Sequence, residues 1–232
     1  MRTIIVVPTY NERENLPELV RQVEALALDL HLLVVDDNSP DGTGDVADEL
    51  ARSHPWLKLL HRPGKGGLGP AYVAGFRHAL EMGYEAIGEM DADLSHNPAY
   101  LPSMLAALEG ADLVLGSRYR PGGGVSNWGP LRRLISRGGS LYSQLILSVG
   151  VRDLTGGFKL FRRQVLETVG LDTVRSNGYS FQIEMTYRTL RQGYRVTEVP
   201  IVFVDRRVGK SKLSRQVVLE AMLMVPRLRL SL

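Results

Sequence analysis

Ala86-Ile87-Gly88-Glu89-Met90-Asp91-Ala92-Asp93-Leu94-Ser95 sets a short apolar run against a pair of carboxylates. The run over residues 86–90 predicts a buried strand whose end delivers Asp91 and Asp93 into a loop. The same pattern occurs twice upstream. Residues 3–7 run into Pro8-Thr9-Tyr10-Asn11-Glu12, and residues 32–35 run into Asp36-Asp37. Residues 57–60 and 113–115 are further candidate strands, and helix-like stretches lie between at 14–28, 43–52, 68–82 and 99–108. Asp41-Gly42 marks a turn and Asn97-Pro98 a helix start. Strands alternating with helices of this length imply an α/β fold: a doubly wound, mostly parallel sheet with right-handed crossovers. Ligands collect beyond the carboxyl ends of such strands. The three polar loops, distant in sequence, are therefore expected along one edge.

After residue 116 the pattern changes. Pro121-Gly122-Gly123-Gly124 reads as a loop, residues 131–148 as a helix, Thr155-Gly156-Gly157 as punctuation and 181–191 as another helix. Residues 196–199 and 201–204 look like one interrupted strand. Residues 217–225 are apolar except for Glu220, are ended by Pro226, and are followed by Arg227 and Arg229. That is a short amphipathic or interfacial helix, equally readable as packed on the core. The expected organisation is one domain over residues 1–210 with a C-terminal helix over 211–232.

Without cysteine, disulfides, a thiol nucleophile and thiolate metal sites are excluded. No signal-peptide pattern opens the chain, and no stretch of eighteen apolar residues predicts a membrane span. The net charge of +3 conceals an asymmetry: residues 1–110 carry 17 acidic and 8 basic side chains, residues 111–232 carry 8 and 20. This suits a cation-assisted site facing an anionic ligand, although a solvated basic surface would give the same count.

Asp91 and Asp93, two apart after a strand, can share a divalent cation that bridges phosphate oxygens; Mg2+ or Mn2+ suits all-oxygen ligation. A turn or helix cap is the plainer alternative. Asp36-Asp37 is placed to accept from a ribose or base, or to cap the next helix, and Tyr10 and Glu12 offer a base an aromatic face and a carboxylate. Gly64-Lys65-Gly66-Gly67-Leu68-Gly69 matches neither a Walker A loop nor a dinucleotide fingerprint, leaving Lys65 a minor phosphate candidate. Two clusters free of acids stand out: Arg118, Arg120, Arg132, Arg133 and Arg137, and Arg206, Arg207, Lys210, Lys212 and Arg215. One could receive an acceptor phosphate and the other a departing nucleotide. A nucleic-acid surface is the weaker reading, since no recognition motif accompanies the charge.

Taken in order, these segments resemble glycosyltransferase family 2, and within it the dolichyl- or polyprenyl-phosphate mannose synthases. To those above are added Leu94-Ser95-His96, Gly116-Ser117-Arg118-Tyr119, Thr155-Gly156-Gly157-Phe158, Phe203-Val204-Asp205-Arg206 and Gly209-Lys210-Ser211-Lys212. The resemblance implies a GT-A fold, an inverting enzyme, GDP-mannose as donor and a polyprenyl (dolichyl) phosphate as acceptor. It implies nucleoside contacts at Pro8, Tyr10, Glu12, Val35 and Asp37. Asp91, Ala92 and Asp93 would flank the diphosphate, and Asp91, Asp93 and Ser95 the metal. Arg118, Arg132 and Ser136 would hold the acceptor phosphate, and Arg206 and Lys212 the donor phosphates. Asp93 and Arg118 would carry the catalysis. The Gln-x-x-Arg-Trp signal of processive relatives is missing, so one sugar per acceptor is expected. Further expectations are a cytoplasmic enzyme, peripheral at the inner membrane face, drawn to anionic lipid, with a membrane-anchoring protein as a candidate partner. Glucose or another hexose from a UDP-sugar would preserve the mechanism. A nucleotide-binding module without turnover is the alternative from another class.

Overall fold

The computed structural model describes residues 1–205 and the helix Arg215–Ser231; Arg206 and Lys212, with Arg207 and Lys210, lie outside the described residues. Nine strands and eight α-helices occur among them: β1 Thr3–Thr9, α1 Leu16–Glu24, β2 Leu30–Asp36, α2 Thr43–Ser53, β3 Leu57–His61, α3 Leu68–Glu81, β4 Ala86–Glu89, α4 Leu101–Leu108, β5 Leu113–Ser117, β6 Gly124–Ser126, α5 Pro130–Leu147, β7 Lys159–Arg162, α6 Arg163–Thr168, α7 Gly178–Arg191, β8 Val196–Pro200, β9 Val202–Val204 and α8 Arg215–Ser231.

The main sheet has the order β3-β2-β1-β4-β7-β5-β8. All its strands run parallel except β7, which is antiparallel to both neighbours. Helices cover both faces, as the alternation along β1 requires. Ile4 and Val6 join the core under α3, α6 and α7, while Ile5 and Val7 join the core under α1, α2 and α4. The expected doubly wound, mostly parallel sheet is what the chain forms. The chain leaves β1 for β2 on one side and returns to β4 on the other, so the switch point lies between β1 and β4. Pro8 points the way Val6 does, towards β4, whose pairing with β1 ends at Glu89 opposite Val6. Its missing N–H therefore costs no ladder bond.

Three expectations are corrected. Residues 196–204 are not one interrupted strand. β8 ends at Pro200, and after Ile201 the chain starts β9, which pairs with β6 in a separate two-stranded sheet. The supposed Pro121–Gly124 loop ends by giving Gly124 to β6. Pro226 lies inside α8 instead of ending it, because Val225 and Leu228 on either side are anchored in the core.

Gly75 shows how closely α3 sits on the sheet: a Cβ there would meet Val6 Cγ1 at 2.4 Å and Val35 Cγ2 at 3.0 Å. Gly75→Ala is expected to cost about 1–3 kcal/mol by overpacking, read as a lower urea midpoint with unchanged slope.

Candidate active site

The loops after β1, β2 and β4 meet at the switch point, and each contains a non-glycine residue in the left-handed region: Asn11, Asn38 and Leu94 at φ +61°, +54° and +62°. Asparagine tolerates this conformation; leucine does not adopt it readily, so the backbone between Asp93 and Ser95 is strained at the site. Asp93 holds that turn. Its Oδ1 accepts from the Ser95 N–H at 3.1 Å and from Ser95 Oγ at 2.5 Å, and both residues are buried.

Asp91 is the open carboxylate, its side chain 32% exposed. Tyr72 donates to its Oδ1 at 3.3 Å, and burial beside Asp91 keeps that phenol protonated, well above its usual range. The Asp91 N–H donates to His96 Nδ1 at 3.1 Å, which puts the ring proton on Nε2. Burial lowers the imidazole below its usual value. His96 closes the segment that carries the family resemblance, and the resemblance implies no role for it.

The two aspartates after β2 are occupied. Asp36 accepts from Thr9 Oγ1 at 2.9 Å and from Ser39 N–H and Oγ at 3.0 and 2.6 Å. Asp37 accepts from Arg62 and, at 3.0 Å, from the Gly66 N–H. Neither caps α2, whose N-cap is Gly42; Asp41, one residue earlier, accepts from the Thr43 N–H at 3.0 Å. Asp37 thus ties the glycine-rich loop to the site and brings Lys65 Nζ to 3.9 Å above the Tyr10 ring. Glu12 Oε2 accepts from Asn15 Nδ2 at 2.7 Å, and Val35 is fully buried in β2.

Arg118 is also engaged. Its Nε and Nη2 donate to Asp153 at 2.7 Å each, its backbone N–H to the same carboxylate at 2.9 Å, and Nη2 to Thr155 Oγ1 at 2.7 Å. Burial alone would raise the Asp153 carboxyl, but Arg118 outweighs it and holds the group below the usual carboxylate range. Arg132 donates to Asp205 at 2.6 Å and lies 4.2 Å over the Trp128 ring. Ser136 accepts from Tyr119 OH at 2.7 Å, and the Arg118 guanidinium stands 5.6 Å from Trp128. Arg118, Arg132 and Ser136 are thereby gathered around Trp128 and Tyr119. His96, Phe203 and Trp128 form a row of edge-to-face rings, 5.3 and 5.5 Å between centroids, joining the Asp91 loop to this cluster.

Beneath the loop lies a group that the sequence concealed. Glu89 and Lys159, opposite one another on β4 and β7, are fully buried 3.2 Å apart, and Lys159 also donates to Gln182. Burial lifts Glu89 to about 7 against the pull of Lys159. The pair fastens the antiparallel strand to the base of the carboxylate loop.

A divalent cation fits the donor set. Asp91 and Asp93 are hard oxygen donors at the switch point, while among the described residues no three His, Asp or Glu side chains could hold a metal together. The protein would supply two carboxylates, with Ser95 beside them, and a bound diphosphate and water the remainder.

A family model described as Glycosyl transferase family 2 matches residues 4–170. The chain belongs to that family and is a glycosyltransferase. The polyprenol monophosphomannose synthase of Mycolicibacterium smegmatis is 51% identical over 227 residues, covering 97% of this chain and 85% of that protein. The undecaprenyl-phosphate mannosyltransferase of Micrococcus luteus is 48% identical over 227 residues, covering 98% and 93%. Among solved structures, glucosyl-3-phosphoglycerate synthase from Mycobacterium tuberculosis, in complex with Mn2+, UDP and glucosyl-3-phosphoglycerate, superposes with TM-score 0.69 at 17% identity, covering 97% of this chain and 80% of that one. A Pyrobaculum calidifontis mannosyltransferase in complex with GDP-Man and Mn2+ gives 0.62 at 19% identity, covering 99% and 73%. The fold is GT-A.

Proposed function

We propose that this glycosyltransferase moves mannose from GDP-mannose to a polyprenyl phosphate, once per acceptor and with inversion. The observation that carries the reading is the row of rings joining Asp91 to the cluster of Arg118, Arg132 and Ser136: a carboxylate site for a cation-bound diphosphate adjoins guanidinium and hydroxyl donors for a second phosphate, the arginines held in place by Asp153 and Asp205. The two relatives named above, at 51% and 48% identity, supply mannose and the lipid phosphate.

The acceptor explains why the site needs no general base. A phosphate monoester, with a second pKa near ~6, is mostly dianionic at neutral pH and carries no proton to be removed. Its oxygen forms the bond to the anomeric carbon as the bond to the GDP phosphate oxygen breaks, from the opposite face. Arg132 and Ser136 orient the attacking phosphate, with Arg118 behind them. Tyr10 and Glu12 face the nucleoside, while Asp37 acts through the glycine-rich loop. Arg206 and Lys212 are assigned to the leaving diphosphate. Mg2+ or Mn2+ on Asp91 and Asp93 would neutralise charge on the diphosphate. His96, neutral and hydrogen-bonded to the Asp91 backbone, fixes the loop.

Radiolabel transfer to a short polyprenyl phosphate tests the reading, with GDP-mannose and UDP-glucose compared, each with Mg2+, with Mn2+ and with EDTA. GDP-mannose should give a lipid product that EDTA abolishes. Product from UDP-glucose alone would reassign the sugar, and no product from any donor would sink the proposal.

A further inference from the structure

Trp128 carries a buried donor that nothing around it uses. The residue stands between β6 and α5, behind a turn made by Asn127 at φ +62°, and is 6% exposed. Its indole Nε1–H is shut off from solvent and meets no hydrogen-bond acceptor among the described residues. An unpaired buried donor is costly, and a phenylalanine would put a ring at this position without it. Its presence in a native fold therefore calls for a reason.

The neighbours cannot satisfy it. The Arg132 guanidinium lies 4.2 Å over the indole, that of Arg118 5.6 Å from it, and the Phe203 ring meets it edge to face at 5.5 Å. Guanidinium groups donate only, and a phenyl ring has no lone pair to offer. The oxygens that serve this cluster are engaged: Asp205 by Arg132, Asp153 and Thr155 by Arg118, and Ser136 by the Tyr119 hydroxyl. Helix α5 adds to the surplus of donors. Gly129, its N-cap and the residue after Trp128, offers no side chain to the first N–H groups, and the first turn holds no acid. A group so rich in N–H donors and positive charge suits an anionic oxygen.

We propose that Trp128 is a further substrate-binding residue, its Nε1–H donating to an oxygen of the acceptor phosphate beside Arg132 and Ser136. The inference rests on the polyprenyl-phosphate reading above and adds a neutral, directional contact to it. Guanidinium charge draws the phosphate in. A single indole N–H fixes the place of one oxygen, which leaves another to face the anomeric carbon.

The test uses the full chain, isotope-labelled at its tryptophan indoles. Trp56 is the only other tryptophan, so Trp56→Phe identifies the Trp128 N–H signal by nuclear magnetic resonance. A short isoprenyl phosphate should move that signal downfield, while the matching isoprenyl alcohol and GDP with Mg2+ should leave it in place. Replacing the Trp128 indole by benzothienylalanine, which has sulfur where the N–H was, keeps the shape of the ring and removes the donor. This replacement should lower kcat/KM for the isoprenyl phosphate about tenfold, leave the KM for GDP-mannose within about twofold, and not lower the urea midpoint. A ring that serves packing alone would leave kcat/KM unchanged. That result, or a stationary Trp128 signal at a concentration of isoprenyl phosphate that saturates turnover, overturns the proposal. Equal movement with GDP would overturn the assignment to the acceptor. Movement with inorganic phosphate, in an enzyme that makes no isoprenyl product, would keep the phosphate contact and remove the polyprenyl reading.

Discussion

Asp93→Asn should lower mannose transfer at least about a thousandfold while leaving the fold intact. The choice of asparagine comes from the hydrogen bonds at this position. Asp93 is buried, and one of its oxygens accepts from both the N–H and the hydroxyl of Ser95. An amide oxygen keeps those bonds and removes only the charge that a cation and diphosphate would require. Asp93→Ala would in addition strand two buried donors beside a left-handed Leu94, costing about 1–3 kcal/mol. The pair of variants therefore separates chemistry from scaffolding: equal urea midpoints for wild type and Asp93→Asn, a lower one for Asp93→Ala, and negligible turnover in both. Asp93→Asn retaining more than about a tenth of wild-type transfer would show that its charge is not used.

The first half of the molecule was open to reading from sequence because its strands are buried on both faces. Parallel strands in that setting are unbroken apolar runs, and the residues that follow them are where a site must form. The second half resisted for equally physical reasons. β7 reads Lys159-Leu160-Phe161-Arg162, and a lysine at its start argues against burial unless Glu89, 70 residues away, is known to be opposite. β6 is three residues long and gains its identity only from β9. Pro200 looked like an interruption within one strand, whereas it is the point where the chain changes sheets. In the site, Asp91 and Asp93 declared themselves by position. The partners of the cations did not: nothing local connects Arg118 to Asp153 or Arg132 to Asp205, since ion pairs across 35 and 73 residues leave no trace in spacing.

That hidden pairing changes what a substitution at Arg118 would mean. Arg118→Met leaves the Asp153 carboxylate, 0% exposed, without its cation, and should destabilise the protein by about 3–5 kcal/mol. Against a total stability of about 5–15 kcal/mol, such a loss lowers activity whatever Arg118 does for the acceptor. The guanidinium nevertheless has a second capacity. Nε and Nη2 are spent on Asp153 and Thr155, and Nη1 donates to no described residue. The double variant Arg118→Gln with Asp153→Asn resolves the two roles. It removes both charges, keeps an oxygen to accept the residue 118 N–H, and should return within about 2 kcal/mol of wild-type stability by urea unfolding. With the fold restored, kcat/KM for the polyprenyl phosphate should still be at least about tenfold below wild type if the proposed charge-assisted bond from Arg118 to the acceptor is made. The Kd for GDP-mannose should be unchanged, since the hydrogen bonds of Arg118 to described residues go to Asp153 and Thr155 and to none of the loops after β1, β2 and β4. A double variant that regains full transfer would make Arg118 a structural partner of Asp153 and leave the acceptor phosphate to Arg132 and Ser136.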